Sequence, residues 1–314
     1  MVDFILLGFG NDWELQPLLF LLFLMIYFAT VAGNFIIIVI VVADRNFHTP
    51  MYYFLGNLSF LEICSTTSIL PRFLASLLTG DRTMTLNGCV AQLCTFALMV
   101  ATESLLLMVM SYDRYLAICH PLRYPALMNG RICCQLVAGC WITSFLLTTT
   151  VNSSLFHLPF CGSKEIDHFF CDFSPMIKLS CGDTQTLQLA TFTIGGIGLL
   201  VSCSLTMTSY SFIISTILRI PSITGRRKAF STCSSHLTVV TIFYGSMITV
   251  YVFPIANMPK VLHKIFSVFY TVLTPMINPF IYTLRNKEVH ESLRRASLKL
   301  TAFRNRHRHL KDRY

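Results

Sequence analysis

The amino-acid sequence predicts an all-α membrane protein, a bundle of seven transmembrane helices with a short amphipathic eighth helix. Of its 314 residues, 54% are apolar and only 12% are charged, and the mean hydropathy is +0.62. Soluble domains carry about 25% charged residues, so a soluble globule of this length would lack the polar side chains to cover its surface. The same composition excludes a collagen-like chain, a disordered chain and a nucleic-acid-binding arm.

Seven apolar segments are each long enough to cross a bilayer, which takes about 20 residues per helix. They cover residues 18–43, 51–78, 90–119, 132–158, 186–218, 235–256 and 265–284, to within a few residues. The longer segments are expected to tilt or to project into water. The sequence has no internal repeat, so we expect one seven-helix domain over residues 1–302 and a basic cytoplasmic tail over 303–314.

The distribution of basic residues predicts the orientation, because cytoplasmic segments are enriched in Lys and Arg. With the C-terminus inside the cell, 18 of the 24 basic residues are cytoplasmic and 6 are extracellular. We therefore expect a multi-pass protein of the plasma membrane with an extracellular N-terminus. Residues 1–17 contain no Lys or Arg, so the first apolar segment, rather than a cleavable signal peptide, is expected to direct insertion.

The eighth helix is predicted from the residues that follow Arg285. Four apolar residues recur at helical spacing among basic ones: Val289, Leu293, Ala296 and Leu300, with Arg294, Arg295 and Lys299 around them. This pattern is typical of an amphipathic helix that lies on the inner leaflet. A disordered basic tail is the alternative, which we favour only beyond about residue 302.

Four cysteines lie in or beside polar loops that the predicted topology places outside the cell, where disulfides persist: Cys89, Cys161, Cys171 and Cys181. Four cysteines allow three pairings. A bridge from Cys89 to the loop that holds the other three would fix this loop over the mouth of the bundle. The alternative is a metal ion held by His168, Cys171 and Asp172.

Two motifs stand at the cytoplasmic ends of the third and seventh helices. Residues 110–119 read MSYDRYLAIC, and residues 275–282 read PMINPFIY. Together they resemble the rhodopsin-like G-protein-coupled receptors.

Three further motifs narrow the resemblance. Residues 48–55 read HTPMYYFL, residues 228–237 read KAFSTCSSHL, and Ser209-Tyr210 lies in the fifth helix. The chain resembles the olfactory receptors, in their tetrapod-type branch, from about residue 4 to residue 295. We take the disulfide pairs to be Cys89–Cys171 and Cys161–Cys181.

The resemblance implies a switch at the cytoplasmic end. Arg114 would be held by Asp113 at rest and become available to the G protein when the sixth helix moves outward. The residues implied in this switch and in coupling are Asp113, Arg114, Tyr115, Tyr210, Arg226, Lys228, His236, Asn278, Pro279 and Tyr282. The alternative is that the charges of Arg226, Arg227 and Lys228 only set the orientation of the chain in the membrane. Pro275 and Pro279 should bend the seventh helix, and Asn278 can donate to the carbonyls that they free.

A second polar set lies near mid-membrane and comprises Asn34, Glu62 and Glu103. Two neighbouring carboxylates cannot both ionise unless a cation joins them or one keeps its proton. Since the corresponding family positions line a sodium pocket, the resemblance implies a bound Na⁺ here. The alternative is a protonated, hydrogen-bonded pair of carboxyl groups. No other cofactor is expected.

The ligand pocket that the resemblance implies lies among the outer halves of four helices. Its residues are Phe96, Ala97, Val100, Ala101, Ser104, Ile194, Gly195, Gly198, Met247, Ile248, Tyr251, Tyr270 and Thr271. The set is apolar with a few hydroxyls and no charge. Such chemistry suits a small, uncharged, volatile molecule and not an amine, which would need an acid in the pocket. Each residue could instead be ordinary helix-packing core.

These features favour an odorant receptor that activates a stimulatory G protein and raises cAMP. Its expected partners are an odorant, that G protein and the lipid bilayer, and not nucleic acid. A receptor of the same fold for a small metabolite outside the nose is an alternative. A transporter would be expected to show an internal repeat. An intramembrane enzyme is disfavoured because Ser235 and His236 are adjacent and do not face each other on a helix.

Overall fold

The computed structural model describes residues 3–10, 14–153, 158–160, 163–182, 184–252 and 259–284. Within them, seven helices are long and apolar enough to span a membrane, which confirms the predicted fold class. The first six are α1 (Gln16–Ala43), α2 (Pro50–Thr79), α3 (Leu86–Cys119), α4 (Gly130–Ser153), α5 (Gln185–Leu218) and α6 (Ile223–Tyr251). Helix α7 consists of Lys260–Val268, a π-helical turn at Phe269–Leu273 and Thr274–Leu284.

The sixth helix starts well before the predicted residue 235. Ser222 caps it, and its hydroxyl accepts a hydrogen bond from the Gly225 amide at 3.2 Å. The first turns carry the basic residues Arg226 and Arg227. A search for apolar runs misses such turns because a helix can extend into water beyond the bilayer. Residue 158, the predicted end of the fourth segment, is described and lies beyond α4. The predicted end of the sixth segment, the eighth helix and the tail lie outside the described residues.

Three short strands form a small sheet at one end of the bundle. β1 (Asp3–Leu6) is the middle strand, antiparallel to β2 (Thr83–Thr85) and parallel to β3 (Glu165–Ile166). We call this end of the bundle the sheet end and the opposite one the Arg114 end. The sequence analysis did not predict this sheet.

Side chains hold the segment after β1 against the bundle. Arg82 donates to the carbonyls of Leu7 and Gly10, at 3.2 and 2.9 Å. Lys264 donates to the Gly8 carbonyl at 2.7 Å. Gly8 and Gly10 have φ values of 62° and 120°, which favour glycine. The ring of Phe9 packs on Phe23, Phe73 and Phe169, so the segment is a packed part of the fold.

Helix α3 forms the centre of the bundle and contacts α2, α4, α5 and α6. Of its 18 most apolar consecutive residues, 61% are buried, whereas the corresponding share is 17% in α1 and in α5. The buried core is built largely from apolar side chains such as Phe54, Leu58, Met110, Val240 and Phe243. Helices α1 and α5 expose large apolar side chains, as helices in contact with lipid do.

Candidate functional site

An ion pair between the half-buried Arg114 and the buried Asp113 lies at the Arg114 end, where α3 approaches its last turn. Arg114 donates from Nε to Oδ2 of Asp113 at 2.9 Å, and its Nη2 contacts the same oxygen. Tyr124, in the short helix Tyr124–Leu127, donates to Oδ1 of Asp113 at 2.8 Å. Burial and the Asp113 carboxylate raise the pKa of Tyr124, which keeps this phenol a hydrogen-bond donor. Asp113 is therefore held from two elements at once.

A second contact at this end joins α5 to α6. The hydroxyl of Tyr210 lies 2.5 Å from Nδ1 of His236, and both side chains are buried. Arg114 lies near enough to act electrostatically on both residues. The Tyr210–His236 contact thus links the two helices directly beside the ion pair.

Other residues predicted for this switch lie elsewhere. Tyr115 contacts His120, at 3.0 Å between its hydroxyl and Nε2, and packs on Phe212 rather than joining the ion pair. Arg226 donates to the Ile220 carbonyl at 3.1 Å and so closes the loop between α5 and α6. Lys228 and Tyr282 lie in α6 and α7, but their side chains are outside the described part of the structure.

The predicted mid-membrane polar set is assembled around Glu62. Asn278 donates its amide to Oε1 of Glu62, and Glu103 is close enough for the two carboxylates to repel each other. Asn34, on the other side, donates to the Pro275 carbonyl at 3.1 Å. All four side chains are buried. The prediction that Asn278 donates to a carbonyl freed by proline is wrong, since Asn34 does so and Asn278 binds Glu62.

Four oxygen atoms of this set lack a hydrogen-bond partner among the described residues. They are Oδ1 of Asn34, Oε2 of Glu62, Oε1 of Glu103 and Oδ1 of Asn278. Carboxylate and amide oxygens are the ligands that hard cations prefer. The donor set therefore fits a bound cation such as Na⁺.

Several predicted ligand residues are brought together near the sheet end. The rings of Phe96 and Tyr270 lie 6.0 Å apart, and the hydroxyls of Tyr251 and Tyr270 lie 3.0 Å apart. Ser104 faces Ser202 on α5, with 2.7 Å between the hydroxyl oxygens. Val100, Met247 and Thr271 are also buried, whereas Ala97, Ala101 and Ile248 are half-buried.

The predicted face of α5 is wrong by part of a turn. Gly195 and Gly198 are exposed and Ile194 is half-buried, while Gly196 is buried. A Cβ atom built on Gly196 would meet no atom within 4 Å, so this glycine leaves room inside the bundle. The cause is the π-helical turn Phe192–Gly196, because an i to i+5 turn shifts the face that follows it.

The loop before α5 adds polar residues that the pocket prediction missed. The disulfide Cys89–Cys171 joins this loop to α3, and the neighbouring Asp172 is buried. Tyr251 donates to Oδ1 of Asp172 at 3.0 Å. The expectation that no acid faces the pocket residues is therefore wrong. The sequence signal was the position of Asp172 beside a bridged cysteine.

Burial changes the acid–base behaviour of this loop. It raises the pKa of the Asp172 carboxyl, and it lowers the pKa of His168 to about 3, helped by the nearby His263 and Lys264. His168 is therefore neutral at physiological pH.

The alternative metal site of His168, Cys171 and Asp172 is not formed. Cys171 is in the disulfide, and the described residues contain no group of three His, Cys, Asp or Glu side chains placed to hold a metal ion. Cys181 is also disulfide-bonded. Since Cys161 lies outside the described residues, the Cys161–Cys181 pair stays a prediction.

Comparison with known proteins identifies the family. A family model described as olfactory receptor matches residues 23–299. The chain belongs to the olfactory receptor family. Olfactory receptor 6F1 of Homo sapiens is 49% identical over 291 residues, which cover 93% of this chain and 94% of that receptor.

Relatives from rodents match over similar lengths. Olfactory receptor 287 of Rattus norvegicus is 50% identical over 292 residues, covering 93% of this chain and 94% of the relative. Olfactory receptor 6E1 of Mus musculus is 47% identical over 304 residues, covering 96% and 97%. This olfactory receptor is thus a multi-pass G-protein-coupled receptor. Its family is a receptor family and not an enzyme family.

Proposed function

We propose that this olfactory receptor binds a small, uncharged odorant near the sheet end and activates a stimulatory G protein at the Arg114 end, which raises cAMP. The observation that carries the proposal is the position of α6. This helix contributes Tyr251 to the aromatic and hydroxyl-bearing cluster at one end and His236 to the contact beside Arg114 at the other. Fifteen residues of helix separate them, or about 22 Å.

The proposed orientation places the sheet end outside the cell and the Arg114 end in the cytoplasm of a plasma-membrane receptor. The disulfide Cys89–Cys171 at the sheet end supports this orientation, because disulfides persist in an oxidising compartment. The excess of basic residues in the opposite segments supports it as well.

The proposed mechanism is a population shift. An odorant that fits the cavity better when α6 is displaced would favour this arrangement, since a ligand with equal affinity for both states shifts nothing. Displacing α6 would break the Tyr210–His236 contact and open the space beside Arg114. The guanidinium would then exchange Asp113 for the G protein.

Exposed side chains at the Arg114 end suit a protein partner. Leu122, in the loop after α3, is 97% exposed beside the exposed Arg123, and Arg227 is exposed in the first turns of α6. An apolar side chain beside cations is typical of a docking surface for a partner with an apolar pocket and acidic rim.

We also propose that Asn34, Glu62, Glu103 and Asn278 hold Na⁺ in the resting receptor. The positive charge would offset the repulsion of the two buried carboxylates. The four unpartnered oxygens support this proposal. If no cation binds, one of the two carboxyl groups must keep its proton.

The test is a cAMP reporter screen of the full-length receptor against an odorant panel. We expect Arg114→Ala to abolish the response at unchanged surface expression. Arg45→Ala, which removes an exposed arginine between α1 and α2, is the matched control and should respond normally. A response that survives Arg114→Ala would contradict the coupling route, and a panel without any cAMP response would contradict the proposed signal.

A further inference from the structure

A chain of five polar side chains lies at the sheet end of the bundle. The hydroxyl of Tyr251 donates to Asp172 at 3.0 Å and lies 3.0 Å from that of Tyr270. Ser267 lies 3.3 Å from Tyr270 and 3.3 Å from Nε2 of His168. We call these five residues the roof chain. It links the loop before α5 to α6 and α7.

Three polar atoms in and beside the roof chain have no hydrogen-bond partner among the described residues. They are Oδ2 of Asp172, Nδ1 of His168 and Nε2 of His263. Asp172 and His168 are 1% exposed and His263 is 7% exposed, so all three side chains are more than nine-tenths buried. A buried polar atom without a partner is unfavourable. These atoms can be satisfied by a bound molecule that both donates and accepts.

The three atoms belong to side chains that border the proposed odorant cavity. The rings of His168 and His263 lie 5.5 Å apart, and His263 acts electrostatically on Asp172. Phe170 packs on His168 at 4.6 Å and on Phe96 at 5.1 Å, between ring centroids. The polar roof chain is therefore continuous with an apolar aromatic wall.

The charged groups near the roof chain include the pair of Lys264 and Asp167, in addition to the acid Asp172 itself. The ammonium of Lys264 lies 2.5 Å from Asp167 and is buried at the same end. Its positive field acts on His168. Lys264 would repel a cationic ligand and Asp172 would attract one, so the amine probes described below test the choice of a neutral hydroxyl.

We propose that Asp172 and the two imidazoles form a subsite for the hydroxyl group of an odorant, so that this receptor selects small alcohols. The hydroxyl donates to Oδ2 of Asp172 and accepts from a ring nitrogen of His168 or His263, while the hydrocarbon part lies against Phe96 and Phe170. This subsite rests on the proposed odorant-binding function and defines its ligand class.

The decisive variant is Asp172→Asn. Its Oδ1 still accepts from Tyr251 and from the Phe173 amide, as in the native receptor. At the Oδ2 position, however, an amide donor replaces an acceptor. The variant should therefore lose its preference for alcohols and gain one for ligands that only accept, such as methyl ethers. Asp81→Asn, at an exposed acid of the same end, is the matched control.

The probes are sets of unbranched, branched and cyclic alcohols of four to ten carbons, each with its methyl ether and its primary amine. We expect the alcohols to raise the melting temperature of the purified full-length receptor at concentrations about tenfold below those of the ethers. The preference should vanish or reverse in Asp172→Asn and persist in Asp81→Asn. His263→Gln provides a second variant, which should weaken the preference even if Asp172→Asn does not fold.

Three outcomes would overturn the subsite. They are equal potency of alcohols and ethers, an unchanged preference in both Asp172→Asn and His263→Gln, and higher potency of the amines, which would indicate a cationic ligand. The absence of any melting shift across the alcohols would count equally against it. Alcohols that raise the melting temperature without raising cAMP would support the subsite and contradict the proposed coupling instead.

Discussion

At the scale of single residues, Asn34 compensates for a proline in α7. Pro279 has no N–H, so the Pro275 carbonyl loses its partner one turn earlier, and Asn34 donates to it at 3.1 Å. An unpaired carbonyl inside a bilayer costs several kcal/mol. Asn34 therefore ties α1 to the bend in α7. The sequence predicts the bend but not its partner, because the two residues are distant in the chain.

The same cluster yields a prediction about sodium. If Glu62 and Glu103 share Na⁺ in the resting receptor, sodium should oppose activation. Glu103→Gln removes one negative charge at constant size, so odorant potency should become insensitive to sodium when choline replaces it at fixed ionic strength. Glu165→Gln, at an exposed acid of β3, is the control. An identical sodium response in wild type and Glu103→Gln would refute the bound cation.

A second prediction concerns pH and His168. Its pKa is about 3 in the fold and about 6.5 in an unfolded chain, so the unfolded state binds a proton first as pH falls. His168 should therefore cost about 2 kcal/mol of stability between pH 7 and pH 5. The groups that face it are His263, Lys264 and Asp167.

Asp172 acts in the opposite direction, because its raised pKa favours the fold as pH falls. The contribution of His168 is isolated by comparison with His168→Gln, whose amide can replace Nε2 toward Ser267. Melting temperatures of the purified receptor at pH 5 and pH 7 measure it. The variant should lose less stability than wild type on acidification, and an equal loss would rule out the neutral, buried imidazole.

At the scale of elements, the helix positions could be predicted and the helix faces only partly. Apolar length locates all seven helices, since a bilayer requires it. The π-helical turns in α5 and α7 leave no comparable signal, so a regular period of 3.6 residues selected Gly198 where Gly196 is buried. Asp172 was missed for another reason, because a loop residue has no helical period and its place depends on a distant disulfide.

The packing of α1 on α7 yields a third prediction. A Cβ on Gly33 would lie 2.9 Å from Cβ of Pro279, closer than two such carbons can approach. Gly33→Ala should therefore destabilise the receptor by about 1–3 kcal/mol. At Gly139 in α4 a Cβ would meet nothing within 4 Å, so Gly139→Ala should be neutral or stabilising, as Ala favours helix. Thermal melting of both variants checks this, and equal stability would show that α1 and α7 are not in close contact here.

At the scale of the whole molecule, burial follows the expected lipid environment. Helix α3 is buried at the centre, while α1 and α5 expose large apolar side chains. The composition alone predicts that large apolar side chains are exposed on the surface of the bundle. It does not predict which helix is central, because several segments have similar hydropathy.

The orientation of the whole molecule is the fourth prediction. An epitope added after Tyr314 should bind antibody only after cells are permeabilised, because the basic segments favour the cytoplasm. An antibody against the loop that holds β3 should bind intact cells. Labelling of the carboxyl-terminal epitope on intact cells would contradict the orientation and, with it, the proposed coupling to a cytoplasmic G protein.

The central place of β1 between two loop strands has a kinetic consequence. Arg82 and Lys264 fasten the following segment, so on the proposed route through the sheet end an odorant meets hydrogen-bonded backbone. An odorant that enters by this route must wait until the segment after β1 moves aside. The observed association rate should level off as the odorant concentration rises. The plateau would equal the rate at which this segment opens, and it should be the same for odorants of very different affinity.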